Sequence, residues 1–390
     1  MARINKVLSI ILDGCGIGGA PDAKQYGDEG ANTLLHVVKE MEPEIPNLME
    51  LGLGKLLRLK NAEEPIACFG RMNEASAGKD TISGHWELAG LTLKKPFPIY
   101  PKGFPKAVVA KLEQETGMQF IGNRCVTGTD IIQELGDQHY VTGKLILFTT
   151  EDSTLQIAAH EDVVPVQALY GMCRIARRVM TGEHAVGRVI ARPFTGEHNA
   201  YTYIENARRD FSVEPFGDTM LDVLHKNHVD VYTVGKPDDI FSHRGITVAN
   251  HAGDGNNDVI VGILKALKSM KAGVCLANLA DTDACGHARS SKDFAESLEI
   301  FDSYLPDILK ALGDDGVLII TADHGCDPSF NGSGHTRENV PLLVWGLCID
   351  EGVDLGTRTG FADVAKTTLD MLGIENTLDG TSFYPEIRLD

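Results

Sequence analysis

The chain has 390 residues, 43% of them apolar and 23% charged, the make-up of a soluble globular protein with room for two domains and a substantial core. Its 36 basic against 55 acidic residues leave a formal charge of −19, which disfavours nucleic acid or an anionic membrane as partner, so a phosphate must be met by a local cationic pocket. The eight cysteines are scattered without a CxxC pair and read as reduced thiols of a cytoplasmic protein.

Taken in chain order, Val7–Leu12 is a buried-strand run that stops at Asp13, too short for a signal-peptide core or a membrane span. Gly14, Gly16 and Gly19 behind it satisfy GxGxxG, the fingerprint of a dinucleotide site. That fingerprint needs a helix to begin inside the glycines, but Pro21 and Asp22 interrupt it and no amphipathic period starts before about Asn32. Asp13, at the end of the strand, is read instead as a candidate metal ligand. Pro46–Leu53 predicts a short helix and Ile66–Met72 another strand. In AGKDTISGHWELAGL, residues 77–91, Thr81 precedes a helical pattern carrying Trp86, Leu88 and Ala89. Thr81, or Ser83, is placed to cap that helix. A helix N-terminus also attracts phosphate through free N–H groups and its dipole, with Lys79 adding positive charge, so Thr81 is equally a candidate nucleophile.

From about Pro96 the texture shifts. Prolines at 96, 98, 101 and 105 introduce alternating helix and strand patterns at Ala107–Thr116, Leu145–Thr150, Val166–Arg178, Val186–Phe194 and Tyr201–Ile204, until buried-strand texture resumes at Val229–Val234. This predicts an inserted α+β domain over 97–216 within a core made of 1–96 and 217–390. The insertion carries Asp152, Arg188, Arg192, Arg208 and Arg209. Alternation puts Arg188 and Arg192 on one strand face, where guanidiniums grip phosphate bidentately or, equally well, form ion pairs on a solvated face.

Back in the core, Lys236 follows a strand end and Val259–Met270 is an amphipathic helix. The strand Val274–Ala280 runs into Asp281, Asp283 and His287; the strand Val317–Ile320 runs into Asp323 and His324, after which Gly325 and a Gly- and Ser-rich loop return His335. In open α/β sheets ligand sites form beyond the carboxyl ends of the strands. The carboxylates Asp13, Asp283 and Asp323 with the imidazoles His287, His324 and His335 suffice for two divalent ions, the arrangement that stabilises attacking and leaving oxygens in phosphoryl transfer. Such a donor mixture suits manganese or zinc better than an all-oxygen magnesium or calcium cage.

KDTxxGHWE at Lys79–Glu87, DxDxxGH at Asp281–His287, TADHG at Thr321–Gly325 and GHTRExVPLL at Gly334–Leu343, together with Asp13, resemble the alkaline phosphatase superfamily and, within it, the phosphopentomutases. GFPK at Gly103–Lys106, LQIAAHE at Leu155–Glu161, GRVIARPF at 187–194 and GTSF at Gly380–Phe383 extend the likeness nearly end to end. The resemblance implies an α/β core, its mostly parallel sheet between helices, with an inserted substrate-binding cap. It implies two manganese ions, zinc or magnesium being alternatives, and exchange of phosphate between C1 and C5 of ribose or deoxyribose, primed by a sugar bisphosphate. Asp13, Asp323 and His324 would hold one metal, and Asp283, His287 and His335 the other. Thr81 would carry the phosphoryl group, while Asp152, Arg188, Arg208 and Lys236 would grip the pentose phosphate. The interval Asp283–His287 is one residue shorter than the phosphopentomutase pattern and equals that of cofactor-independent phosphoglycerate mutases, which leaves Asp281 as an alternative to Asp283. A phosphoglycerate mutase or a metal-dependent phosphatase of the same superfamily is the alternative activity, and a non-catalytic sugar-phosphate sensor the alternative from another class.

Overall fold

The apolar run after Lys6 forms the middle of an eight-stranded sheet. The structure, a computed structural model, describes residues 4–126, 130–150, 152–250, 253 and 255–389. Its strands in chain order are β1 (Lys6–Leu12), β2 (Cys68–Met72), β3 (Phe120–Cys125), β4 (Leu145–Thr149), β5 (Thr154–His160), β6 (Arg188–Thr195), β7 (Thr202–Tyr203), β8 (Arg209–Ser212), β9 (Val231–Val234), β10 (Val248–Asn250), β11 (Gly273–Leu279), β12 (Gly316–Thr321), β13 (Val340–Trp345) and β14 (Asp354–Arg358). The chain divides into two compact units, one of Met1–Pro96 with Pro215–Asp390 and one of Phe97–Glu214.

In the first unit the strand order is β10-β9-β11-β1-β12-β13-β2-β14. β1 pairs in parallel with both β11 and β12, and β13 pairs antiparallel with both β12 and β2. Seven strands therefore share one direction and β13 opposes them. Val7, Leu8, Ile10 and Ile11 are buried on both faces of the sheet, which is why β1 reads as an uninterrupted apolar run rather than an alternation. Helices cross between the parallel strands, among them Asn256–Ser269 ahead of β11 and Ser291–Leu312 ahead of β12. The predicted helix at Pro46–Leu53 is two short ones, Pro46–Glu50 and Leu53–Leu56. Gly52, at φ +116°, breaks them where a side chain would be strained.

The second unit is a six-stranded sheet of order β3-β4-β5-β6-β7, with β8 pairing β6. Successive residues of β4 face opposite sides. Leu145 and Leu147 pack with Leu112, Leu169 and Cys173, whereas Ile146 and Phe148 pack with Ile131, Ile132 and Phe194. The helices Lys106–Thr116 and Val166–Val179 thus cover one face and Asp130–Thr142 the other. Among the described residues no helix is long and apolar enough to cross a membrane, and all eight cysteines are free thiols.

Candidate active site

Strand register brings the scattered polar residues to one edge. Leu12 lies opposite Leu279 and Ile11 opposite Thr321, so β1, β11 and β12 end level. Asp13, Asp283, Asp323 and His324 leave the sheet from those ends. Val234 is paired with Ala277, which sends Lys236 to the same edge. β13 runs the other way, so its amino end, Val340, lies beside the carboxyl end of β2 at Met72. His335, just before β13, and Thr81, just after β2, therefore arrive there too. The first-unit candidates for metal ligand and nucleophile, with Lys236, thus come together at this edge.

Asp283, His287 and His335 offer one donor atom each within 4.8 Å of one another, and Asp13, Asp283 and His324 do the same. Asp283 belongs to both groups: its Oδ1 is 3.5 Å from His335 Nε2 and its Oδ2 3.5 Å from His287 Nε2. His324 Nε2 is 3.4 Å from Asp13 Oδ1, 3.2 Å from Asp323 Oδ2 and 3.1 Å from Thr81 Oγ1. Asp281 turns elsewhere, accepting the Asn256 N–H at 2.9 Å.

These residues fit divalent ions. Among the described residues, the buried oxygens Asp13 Oδ1, Asp283 Oδ1 and Asp323 Oδ2 have no hydrogen-bond partner, a costly state that a cation relieves. His287 Nδ1 donates to the Ser333 carbonyl and His324 Nδ1 to the Gly325 carbonyl. With Nδ1 so engaged, each ring would turn its Nε2 to a bound cation among the carboxylates, the outer-shell arrangement of metal-binding histidines. The Nε2 atoms of His287 and His335 face each other at 3.1 Å, which requires a proton or a cation there.

Electrostatics among these side chains say how the charge is shared. Burial and the neighbouring Asp323 push Asp13 up to about 6, against the pull of Lys236. Burial also opposes ionisation of Asp283, but His335 and His324 hold it down at about 2. Burial would lower His324, yet Asp323 and Asp13 raise it to about 10. A ligand imidazole must be neutral, so through neutral pH a metal must displace that proton. Affinity for a divalent ion held by His324 and Asp13 is therefore expected to rise about tenfold per pH unit between pH 7 and 9, and more steeply below about pH 6, where Asp13 is protonated as well. Calorimetric titration of metal-free protein in buffers of different ionisation enthalpy measures this; affinity independent of pH would contradict it.

Thr81 is the first residue of the helix Thr81–Leu88, and its cap differs from expectation. Asp80 is the N-cap: its carboxylate accepts the N–H groups of Ile82 and Ser83, and Ser83 completes a capping box. A carboxylate complements the helix dipole as well as its amides, so it outcompetes the hydroxyls for this position. Thr81 is left with its hydroxyl on His324, and those two amides are not free for phosphate. Lys79, read as local positive charge, is paired with Asp28 at 2.6 Å.

The helix presses on the metal edge at Gly84, where an added Cβ would lie 2.2 Å from the Asp323 carbonyl oxygen. Gly84→Ala is expected to push Thr81 away from Asp323 and lower turnover by about 100-fold, since displacement of about 1 Å costs that much. Parental kcat in this variant would refute the close packing.

Lys236 Nζ is 2.8 Å from Asp13 Oδ2. In the second unit, Arg188 is 4.0 Å from Asp152 and 3.4 Å from Asp210, and Arg208 holds Asp210 with two contacts of 2.9 and 3.0 Å. Asp152, Arg188 and Arg208 thus form one charged cluster around Asp210. Arg192 lies apart, its guanidinium 4.1 Å over the Tyr203 ring.

Sequence reasoning passed over several residues that shape the site. His85 Nδ1 is 2.8 Å from the Thr81 carbonyl and 3.2 Å from Asp323 Oδ2, and Asn278 meets its other nitrogen at 3.3 Å. A signal existed for Asn278: an amide inside the apolar run VCLANL needs a buried partner.

The family model described as the metalloenzyme superfamily matches residues 5–376. The chain is 47% identical over 390 residues to the phosphopentomutase of Caldanaerobacter subterraneus subsp. tengcongensis, covering 99% of each. It is 48% identical over 390 residues to that of Carboxydothermus hydrogenoformans, covering 99% of this chain and 100% of the relative. Among solved structures, the PH0037 protein from Pyrococcus horikoshii aligns with TM-score 0.51 at 16% identity over 97% of this chain and 100% of its own. A phosphoglycerate mutase from Leishmania mexicana aligns with TM-score 0.50 at 14% identity over 100% and 98%. At such identities these two show a shared fold.

Proposed function

The chain belongs to the phosphopentomutase family within the metalloenzyme superfamily, and from that membership we propose that it interconverts the 1-phosphate and 5-phosphate of ribose or deoxyribose by way of Thr81. The observation that carries this reading is the Thr81 hydroxyl, 3.1 Å from His324 Nε2 at the edge where both candidate metal groups converge. A buried hydroxyl beside such a donor set is what a phosphoryl carrier requires.

Asp13, Asp323 and His324 are proposed to hold one divalent ion, manganese by preference, and Asp283, His287 and His335 the other. When bound, the ions supply positive charge that stabilises the Thr81 alkoxide and the oxygens of the transferring group. The resting enzyme carries phosphothreonine at position 81. A free sugar hydroxyl attacks its phosphorus; the bond to Thr81 Oγ1 breaks, a bond to the sugar oxygen forms, and the hydroxyl proton is released. Thr81 Oγ1 then attacks the other phosphate of the resulting bisphosphate; the bond from phosphorus to that sugar oxygen breaks, the oxygen takes up a proton in place of the one released, and the phosphoenzyme is regenerated with the sugar phosphate isomerised. A sugar bisphosphate primes enzyme that has lost its phosphate. Arg188 and Arg208 are proposed to grip the phosphate that is not reacting, with Asp152 accepting sugar hydroxyls and Lys236 adding positive charge.

Mass analysis of the peptide bearing Thr81, combined with turnover of ribose 1-phosphate in the presence of manganese, tests the reading. A phosphate on Thr81 and ribose 5-phosphate as product are expected. Steady release of inorganic phosphate at the same rate would make the enzyme a phosphatase, and turnover of 3-phosphoglycerate instead would make it a phosphoglycerate mutase.

A further inference from the structure

The GHTRE motif supplies His335 to the site, but the two charged residues that follow it have no role in the reading above. Both are buried. Glu338 accepts the N–H groups of Gly18 and Thr33 and the hydroxyls of Thr33 and Thr336, which ties it to the segment behind β1. Arg337, only 3% exposed, turns to the other side, toward the loop that leads into Thr81.

All five N–H groups of this guanidinium find acceptors. Nε and Nη2 hold the two oxygens of Asp22 at 3.1 and 2.9 Å. Nη2 also donates to the Glu74 carbonyl at 2.6 Å, and Nη1 donates to the carbonyls of Ser76, at 2.9 Å, and Gly78. Glu74 Oε2 lies 2.6 Å from Nη1, and the other oxygen of Glu74 accepts from Ser83 Oγ, inside the Thr81 helix, at 3.3 Å. Segment 74–78 lies in no helix or strand. Its amides at Ala75 and Ser76 go to Glu87 and the amide of Ala77 to the Leu93 carbonyl. Three alternate carbonyls of an irregular loop are thus taken by one planar side chain, the work a neighbouring strand does elsewhere. The planar fork suits it, because its donors diverge in fixed directions.

We propose that Arg337 is a positioning residue for phosphoryl transfer: by fixing the Glu74–Gly78 carbonyls it sets where the Thr81 hydroxyl stands, and it ties that placement to the chain segment that delivers His335. The inference rests on Thr81 being the phosphoryl carrier. Arg337 touches neither substrate nor a proposed ligand; it acts through the loop.

Arg337→Lys tests this in the manganese-loaded full chain, because it keeps the charge but replaces a planar fork by one ammonium. Its kcat for ribose 1-phosphate is expected to fall about 100-fold with KM and manganese stoichiometry unchanged. Arg337→Ala should be slower still and regain at least about tenfold when guanidinium is added at millimolar concentration. Amide exchange at 75–80 in the metal-free protein should quicken in both variants, while that at Gly18 and Thr33 should not. An Arg337→Lys kcat within threefold of the parent would overturn the proposal, as would a loss of turnover matched by an equal loss of manganese binding. Where the Arg337 variants do not fold, Asp22→Asn carries the test. Removing one side of the fork is expected to lower kcat about fivefold at unchanged KM, and an unchanged kcat overturns the proposal. The two layers separate cleanly: a parent without phosphate on Thr81 defeats the mechanism, whereas a phosphorylated, active parent beside a parent-like Arg337→Lys defeats only this inference.

Discussion

Replacing Thr81 by alanine is expected to lower mutase turnover by roughly 10⁴-fold or more, because the nucleophilic hydroxyl itself is removed. The protein should nonetheless fold and load manganese. Asp80, not Thr81, caps the helix, so the substitution leaves the capping box intact. What is lost is the contact with His324 and a few buried atoms, about 1–2 kcal/mol of stability. Thr81→Ser keeps a hydroxyl at the same position and should retain measurable turnover. Thermal melts, manganese stoichiometry and ribose 1-phosphate assays on the two variants check this together. A Thr81→Ala enzyme working within tenfold of the parent would remove Thr81 from the mechanism.

Asp283→Ala is expected to be as severe, but for another reason. Asp283 is the residue shared by both candidate groups, with one oxygen near His335 and the other near His287. Losing it should weaken manganese binding by more than about 100-fold and turnover with it. Asp281→Ala is the contrasting variant. That carboxylate anchors the Asn256 amide, so its loss should cost about 1 kcal/mol of stability and leave metal content unchanged. Metal analysis after dialysis reads both. The opposite pattern, with metal lost on changing Asp281 and kept on changing Asp283, would reassign the ligand.

Much of this was legible in the residues. A strand buried on both faces has to be apolar throughout, so the abrupt carboxylates at Asp13, Asp283 and Asp323 marked strand ends without any coordinates. Parallel pairing then required those ends to lie on one side of the sheet. Less legible was why His335 and Thr81 join them, since that depends on β13 running antiparallel, and a short apolar run looks the same in either direction. The cap of the Thr81 helix was misplaced by one residue because Asp80, Thr81 and Ser83 are all good caps by type, and only geometry tells which one turns inward. Arg337 stands in the GHTRE motif, yet its partners are three backbone carbonyls, which carry no signature in sequence, and the carboxylates of Asp22 and Glu74, which are remote from it along the chain.

The position of β1 has a consequence for biosynthesis. It is made well before its two neighbours in the sheet, Gly273–Leu279 and Gly316–Thr321. The emerging chain must therefore carry an unpaired apolar ribbon while the whole of Phe97–Glu214 is produced, and the centre of the first unit closes only after β12 has left the ribosome. Because the candidate donors from Asp13 through His335 meet only on that closure, capture of a divalent ion should mark the completed fold, and chains ending before β12 should be prey for chaperones and proteases rather than partially active enzymes.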